Sequence, residues 1–347
     1  MRAPVRFAVV GCGHIGRRHV AVVQAHPEAI VQVVVDVQWE DRGDGRALPA
    51  SFAPEAKSFV GLPEALNGCG DEIDVVAICT PNGTHVDLAA CAVAAGKHVV
   101  VEKPMGLTVA SVESLDSQAS ARGVHVFGVM QNRYAPAAQW LKQASMESLF
   151  GEVLQVHVKC LWNRDGRYYT PGSWRGTMAL DGGPLFTQFS HFLDILMWVF
   201  GDLDVQSAHF VQETHRDSTE FEDGGLVRFA LRNGGWGTLV FSTSAAQANF
   251  ESSMTVMGSQ GTVRIGGQYM DKLEAFEVEG KEFPQMPPAP PANDYGGYKG
   301  SANNHHHVYA NVMDVLLHGG EVATPISEGL AVVRAIEAMH RLGRKDP

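Results

Sequence analysis

Two hydrophobic rhythms divide the chain. Over residues 1–130, short and nearly unbroken apolar runs alternate with stretches of helical period. Arg6–Val10, Ile30–Val35, Asp74–Cys79, His98–Val101 and His125–Val129 read as strands, and Val86–Ala95 and Ala110–Ala121 as helices. Runs that are apolar at successive positions are expected where both faces of a sheet are covered. Strands spaced by helices imply right-handed crossovers, hence a doubly wound parallel sheet of the α/β class.

From about Phe150 the rhythm changes to alternation. Glu152–Trp162, Leu226–Leu231, Trp236–Ser244, Ser253–Gly258 and Thr262–Gly267 read as strands, with short Gly- and Asn-rich connections such as Arg232–Gly235. This predicts a mostly antiparallel sheet in an α+β domain over residues 131–347, with one helix, Phe186–Phe200, inserted before most of its strands. Pro287–Pro291 marks a loop, and helices return at His305–Leu316 and Ile326–Leu342, the last of them expected to pack back on the N-terminal domain. So large a sheet exceeds what these helices cover. Its bare face predicts a homodimer or homotetramer through the C-terminal sheet.

Composition narrows the partners. The net charge of −11 argues against nucleic acid, which needs a basic face. No apolar run approaches the length of a membrane helix, and the N-terminal apolar stretch is too brief for an export signal. Cys12, Cys69, Cys79, Cys91 and Cys160 include no C-x-x-C pair, so neither a disulfide framework nor a zinc site is indicated. A cytoplasmic protein with reduced thiols follows.

The first strand runs into GCGHIG, which places Gly11, Gly13 and Gly16 in G-x-G-x-x-G spacing, and Asp36 closes the second strand. Glycines here allow a tight turn, close approach of a pyrophosphate and close helix packing. The helix start at His14 and Ile15 then offers N–H groups to phosphate. The domain is therefore read as a Rossmann domain. Asp36 suits an adenosine ribose hydroxyl and repels a 2′-phosphate, which favours NAD over NADP; Arg42, in the following loop, would soften that preference.

Further candidates sit at other strand ends, where ligands of open α/β sheets bind. The third strand ends in Thr80, Asn82 and His85, read as cofactor-lining, and the fourth in Glu102, Lys103 and Pro104, which puts the lysine ammonium near the nicotinamide. Gln131, Asn132 and Arg133 follow the fifth. In the inserted helix Thr187, His191 and Asp194 stand at i, i+4 and i+7 and share a face. His191 is placed to relay a proton near neutral pH.

Together GCGHIG, TPNGTH, EKP and the GG…H…D pattern resemble the Gfo/Idh/MocA oxidoreductases over essentially the whole chain. QNRYAPAAQWLKQA, LWNRDGRYYTPGSWRG, DGGPLFTQFSHFLDILMW and NNHHHVYANVMDVL resemble a narrower group, the nucleotide-sugar 3-dehydrogenases acting on UDP-GlcNAc or UDP-GlcNAcA in surface-polysaccharide or lipid A pathways. The resemblance implies NAD as cofactor, a UDP-linked N-acetyl sugar as substrate, and oxidation at its C3 hydroxyl to a 3-keto sugar. It makes Lys103 and His191 the catalytic pair. Glu102, Gln131, Trp174 and Arg175 would join the cofactor site, the last two from the same or a neighbouring subunit. Asn132, Arg133, Tyr168, Tyr169, Thr187, Gln188 and His306 would contact substrate. Arginines 133, 164, 167 and 175 suit a diphosphate, and the tyrosines a uracil ring. Many members of the family carry an aspartate where this chain has Thr187, so a Lys/Asp/His trio is not expected.

Two rival readings remain. An inositol or free-aldose dehydrogenase would share the fold and differ in substrate size. A non-catalytic NAD-sensing protein would be expected to lack Lys103 or His191, and both are present. No metal is assigned: His305–His307 are consecutive at a helix start and point in different directions.

Overall fold

Val5–Val10 forms β1, buried along nearly its whole length, with Phe7, Ala8 and Val9 at zero exposure. A computed structural model describes residues 3–39, 53, 55–294 and 299–344; Arg42 lies outside them. The chain divides into two units, Met1–Met130 with His305–Leu330, and Gln131–Asn304 with Ala331–Pro347.

In the first unit β1 is followed by α1 (His14–Gln24), β2 (Ala29–Val35), β3 (Lys57–Phe59) and α2 (Leu62–Cys69). Next come β4 (Val75–Ile78), α3 (His85–Ala94), β5 (His98–Val101), α4 (Val109–Arg122) and β6 (Val126–Gly128). All neighbouring strands pair in parallel, in the order β3-β2-β1-β4-β5-β6. The order reverses between β1 and β4, which opens a crevice beyond their carboxyl ends. The elements missed in the sequence, β3 and α2, are short and follow a long polar stretch.

The second unit holds α5 (Pro136–Met146), β7 (Val153–Leu161), α6 (Pro184–Thr187), α7 (Ser190–Phe200) and β8 (Leu203–Val211). It continues with β9 (Gly224–Leu231), β10 (Trp236–Ser242), β11 (Glu251–Gly258), β12 (Gly261–Gly266) and β13 (Lys272–Val278). The seven strands run β13-β12-β11-β7-β10-β9-β8. All pairs are antiparallel except β7 with β10, which are parallel. The helices and two strands between them supply the crossover that a parallel pair requires. One face buries Val156, Val158, Phe229, Leu239, Phe241, Met254 and Val256. Aromatic contacts continue that core through Phe189 and Phe192, whose rings meet Phe241 and Trp162.

The expected single helix Phe186–Phe200 is broken. The N–H of Phe189 turns back to the Pro184 carbonyl at 2.9 Å and closes the first turn. The Ser190 hydroxyl takes the Phe186 carbonyl at 2.6 Å. Thr187 thus ends α6, and His191 and Asp194 belong to α7, so the three do not share one continuous helical face.

A small hairpin, β14 (Ala292–Asp294) and β15 (Lys299–Ala302), precedes α8 (His305–His318) and α9 (Ile326–Gly343). α8 packs on α1 in the first unit. There Thr324 also clasps the end of β6: its hydroxyl donates to the Gly128 carbonyl at 2.7 Å, and its own carbonyl accepts the Gly128 N–H at 2.9 Å.

Candidate active site

The glycine loop is built by contact. A side chain at Gly11 would reach within 2.6 Å of the Cys79 carbonyl, and one at Gly16 within 1.8 Å of the Gly11 carbonyl. Only glycine lets α1 start so close to β1 and β4. A side chain at Gly13 would meet nothing within 4 Å, so this backbone faces open space. No side chain caps α1 and no acidic residue stands in its first turn. His14 is exposed and Ile15 half-buried there. An uncapped helix start beside a bare glycine backbone fits the diphosphate of a dinucleotide.

Asp36 stands beside this loop. Its carboxylate accepts the Cys12 N–H at 2.7 Å and the Gln38 N–H at 2.9 Å. These bonds fix its direction and leave each oxygen a lone pair for a ribose hydroxyl. Burial, with Asp36 nearby, pushes the Cys12 thiol up to about 12, which keeps it protonated and inert.

At the neighbouring strand ends, Thr80 bonds Thr84 at 2.7 Å and Asn82 is buried. His85 is wholly enclosed. One ring nitrogen faces the Pro104 carbonyl at 2.8 Å and the other the Thr80 carbonyl at 2.9 Å. It ties the TPNGTH loop to the segment that carries Lys103, and its burial lowers its affinity for a second proton. Lys103 is half-buried; its backbone N–H donates to the Glu102 carboxylate at 3.1 Å. His306 lies on the exposed side of α8, its ring 4.1 Å from that of His307.

In the second unit the 3-10 turn Gln131–Tyr134 buries Gln131, Asn132 and Arg133. Both polar atoms of the Asn132 amide are buried without a hydrogen-bond partner, as is Gln188 Oε1. Buried polar groups normally find partners, so these amide atoms are candidates to bond a bound molecule. Gln188 Nε2 donates to the Tyr168 hydroxyl at 3.0 Å. The guanidinium of Arg175 lies over the Tyr168 ring at 4.6 Å and over Trp174 at 5.1 Å, and Arg164 covers the ring at 4.9 Å. Tyr168, Gln188, Arg164, Arg175 and Trp174 therefore form one layer.

Other candidates are engaged elsewhere. Arg133 is bound to Asp194. Arg164 donates to Asn249 and the Asn163 carbonyl, and Arg167 pairs with Asp165 at the surface. Tyr169 packs into a small core with Phe221 and against His215. His191 is buried in the first turn of α7.

Two features escaped the sequence reading. Asp181 accepts a hydrogen bond from the Thr187 hydroxyl and another from the Gly176 N–H. A buried aspartate thus stands behind the threonine, and only its place before the glycine pair hinted at it. His19 also went unremarked, although it shares the buried face of α1 with Gly16, Val20 and Val23.

The glycine loop, its aspartate and the strand-end lysine on a doubly wound sheet define a dinucleotide-dependent oxidoreductase. The chain belongs to the Gfo/Idh/MocA family. The model for the oxidoreductase family with an NAD-binding Rossmann fold matches residues 5–129, and that for the Gfo/Idh/MocA C-terminal domain matches residues 138–264. Among solved structures, the WlbA dehydrogenase of Bordetella pertussis, in complex with NADH and UDP-GlcNAcA, is 28% identical with a TM-score of 0.85, over 98% of this chain and 97% of that one. The WlbA enzyme of Chromobactrium violaceum, in the same complex, is 27% identical with a TM-score of 0.86, over 99% and 95%. The inositol 2-dehydrogenase of Rhizobium meliloti is 23% identical over 97% of this chain and 96% of its own length. The protein is an NAD-dependent oxidoreductase. Among the described residues no helix is long and apolar enough to cross a membrane.

Proposed function

We propose that this enzyme oxidises the C3 hydroxyl of a UDP-linked N-acetyl sugar, UDP-GlcNAc or UDP-GlcNAcA, to the 3-keto sugar. The observation that carries the reading is the similarity, across nearly the whole of each chain, to two dehydrogenases solved with UDP-GlcNAcA. The stacking of Arg175 on Tyr168 supports it, since aromatic and guanidinium groups suit a base and a diphosphate. Bound NAD supplies the electron acceptor. Lys103 donates a hydrogen bond to the reacting oxygen as negative charge grows on it, and His191 takes the hydroxyl proton. Asn132 and Gln188 offer their unpartnered amide atoms to the sugar. The five free cysteines fit a reducing cytoplasm. The outer face of the seven-stranded sheet is the proposed surface for a homodimer or homotetramer.

A panel of UDP sugars with NAD, read by NADH absorbance and product mass, tests the substrate. UDP-GlcNAc or UDP-GlcNAcA should yield a product two mass units lighter. The relationship to an inositol 2-dehydrogenase favours a second reading, a polyol or free-aldose substrate. Turnover of myo-inositol with none of any UDP sugar, and no competition by UDP, would establish that reading instead.

A further inference from the structure

Behind the strand-end lysine lies a carboxylate that the core has no packing reason to hold. Glu102 is only 5% exposed. One of its oxygens faces His19 Nε2 at 3.0 Å and His305 Nε2 at 3.4 Å, the latter a close contact without the alignment of a hydrogen bond. Its other oxygen accepts the Lys103 backbone N–H at 3.1 Å. The second nitrogen of His19 meets the Tyr309 hydroxyl at 2.7 Å, and both histidines are wholly buried. Four contributions from three places in the chain thus converge: His19 from α1, Glu102 from the end of β5, and His305 with Tyr309 from α8.

A buried carboxylate is costly unless paired, and an apolar residue of similar volume usually serves stability as well or better. Burial alone would push the Glu102 carboxyl up, yet the attraction of His19 and His305 brings it well below the ordinary carboxylate range. The ligand atoms of His19, Glu102 and His305 all lie within 4.8 Å of one another, a spacing an ion can bridge. The 3.0 Å and 2.7 Å separations at the two nitrogens of His19 are, however, those of direct hydrogen bonds, so His19 holds Glu102 without an intervening ion.

We propose that Glu102 is a positioning residue for Lys103. Held as an anion by His19 and His305, it grips the lysine's backbone N–H and locks the strand end to α1, the helix whose first turn faces the cofactor phosphates. The inference rests on the reading of Lys103 as the group that acts on the substrate hydroxyl.

The test uses the full chain and whichever alcohol the wild type oxidises with NAD. Glu102→Gln keeps shape and an acceptor oxygen but removes the charge. It should lower kcat roughly 10- to 100-fold while leaving both KM values, and the NAD affinity measured by calorimetry, within about threefold. His19→Gln retains an N–H donor toward Glu102 and should stay within about threefold of wild type, whereas His19→Leu should match the Glu102→Gln loss. Wild-type kcat in folded Glu102→Gln, or equal kcat in the two His19 variants, overturns the proposal. If Glu102→Gln does not fold, the His19 pair decides; if neither it nor His19→Leu folds, the network serves stability and the proposal is overturned. A wild type that binds no NAD or oxidises no alcohol would instead overturn the functional reading, before any variant is compared.

Discussion

Arg133 and Asp194 form a closed pair: Nε of the guanidinium donates to one carboxylate oxygen at 2.7 Å and Nη2 to the other, with side-chain exposures of 4% and 1%. The Trp198 ring covers the guanidinium at 5.4 Å. Replacing one partner of such a pair strands a buried charge, whereas replacing both need cost little. Asp194→Leu should destabilise the protein by about 3–5 kcal/mol in urea unfolding followed by tryptophan fluorescence, and Arg133→Met combined with it should recover most of that. A single variant within about 1 kcal/mol of wild type would mean that the pair is not closed in solution.

The second and third glycines of the loop should separate folding from binding. At Gly16 a methyl group has no room against the Gly11 carbonyl, so Gly16→Ala should lower the melting temperature. At Gly13 it meets only open space where the phosphates approach. Gly13→Ala should therefore melt within about 2 °C of wild type and yet bind NAD at least about tenfold more weakly, a difference near 1.4 kcal/mol. Unchanged NAD affinity in Gly13→Ala would place the diphosphate elsewhere.

Lys103→Ala and His191→Asn should each reduce kcat by about 10²–10⁴-fold with NAD affinity intact. Stopped-flow measurement of the first turnover separates this from slow product release. Full turnover in either variant removes that residue from the reaction.

Stability should fall in two stages as the solution is acidified. Burial lowers His85 and His305 below 6.5, so the unfolded chain binds more protons than the folded one and stability declines as pH drops through that value. In Glu222, burial is outweighed by His340 and Arg344, and in Asp223 by the N–H groups of Glu213 and Thr214. With Glu102, these carboxylates lie below their ordinary values, so their contribution is complete above the unfolded range and is lost as pH falls below about 4.5. Melting temperatures recorded from pH 8 to about pH 2 should show both stages; a flat record between pH 7.5 and 5 would contradict the first.

The outer face of the seven-stranded sheet carries Leu226 at 47%, Trp236 at 38% and Met257 at 38% exposure. Strand register sets Trp236 and Met257 on either side of Gln155, with Leu226 opposite Val240. Leu226→Asp with Trp236→Asp should shift the protein to a monomer in sedimentation velocity without loss of fold. A wild type that already sediments as a monomer would remove the proposed interface.

The first unit was largely legible because each of its signals is local. The strand His98–Val101 falls where its unbroken apolar run puts it, and the glycine spacing carries its own chemistry. The parallel pairing of β7 with β10 was not legible, since alternation reports one covered face and says nothing of a partner's direction. Nor was the break at Gln188–Phe189, where apolar spacing suits one continuous helix and the cause is the Phe189 N–H turned back to the Pro184 carbonyl. Arg133 illustrates the limit for site residues: its type suits a diphosphate, but only the fold reveals that Asp194 engages it.

The cofactor unit draws on both ends of the polypeptide, since residues 305–330 complete what residues 1–130 begin. During synthesis, then, Glu102 emerges from the ribosome roughly two hundred residues, and His19 nearly three hundred, ahead of His305 and Tyr309. Until α8 arrives, the nascent sheet has an anion without one of its two partners. A fragment cut at Met130, where the sequence rhythm changes, lacks His305 and Tyr309 and with them half of that buried network. The first unit is thus completed late, after most of the second has left the tunnel.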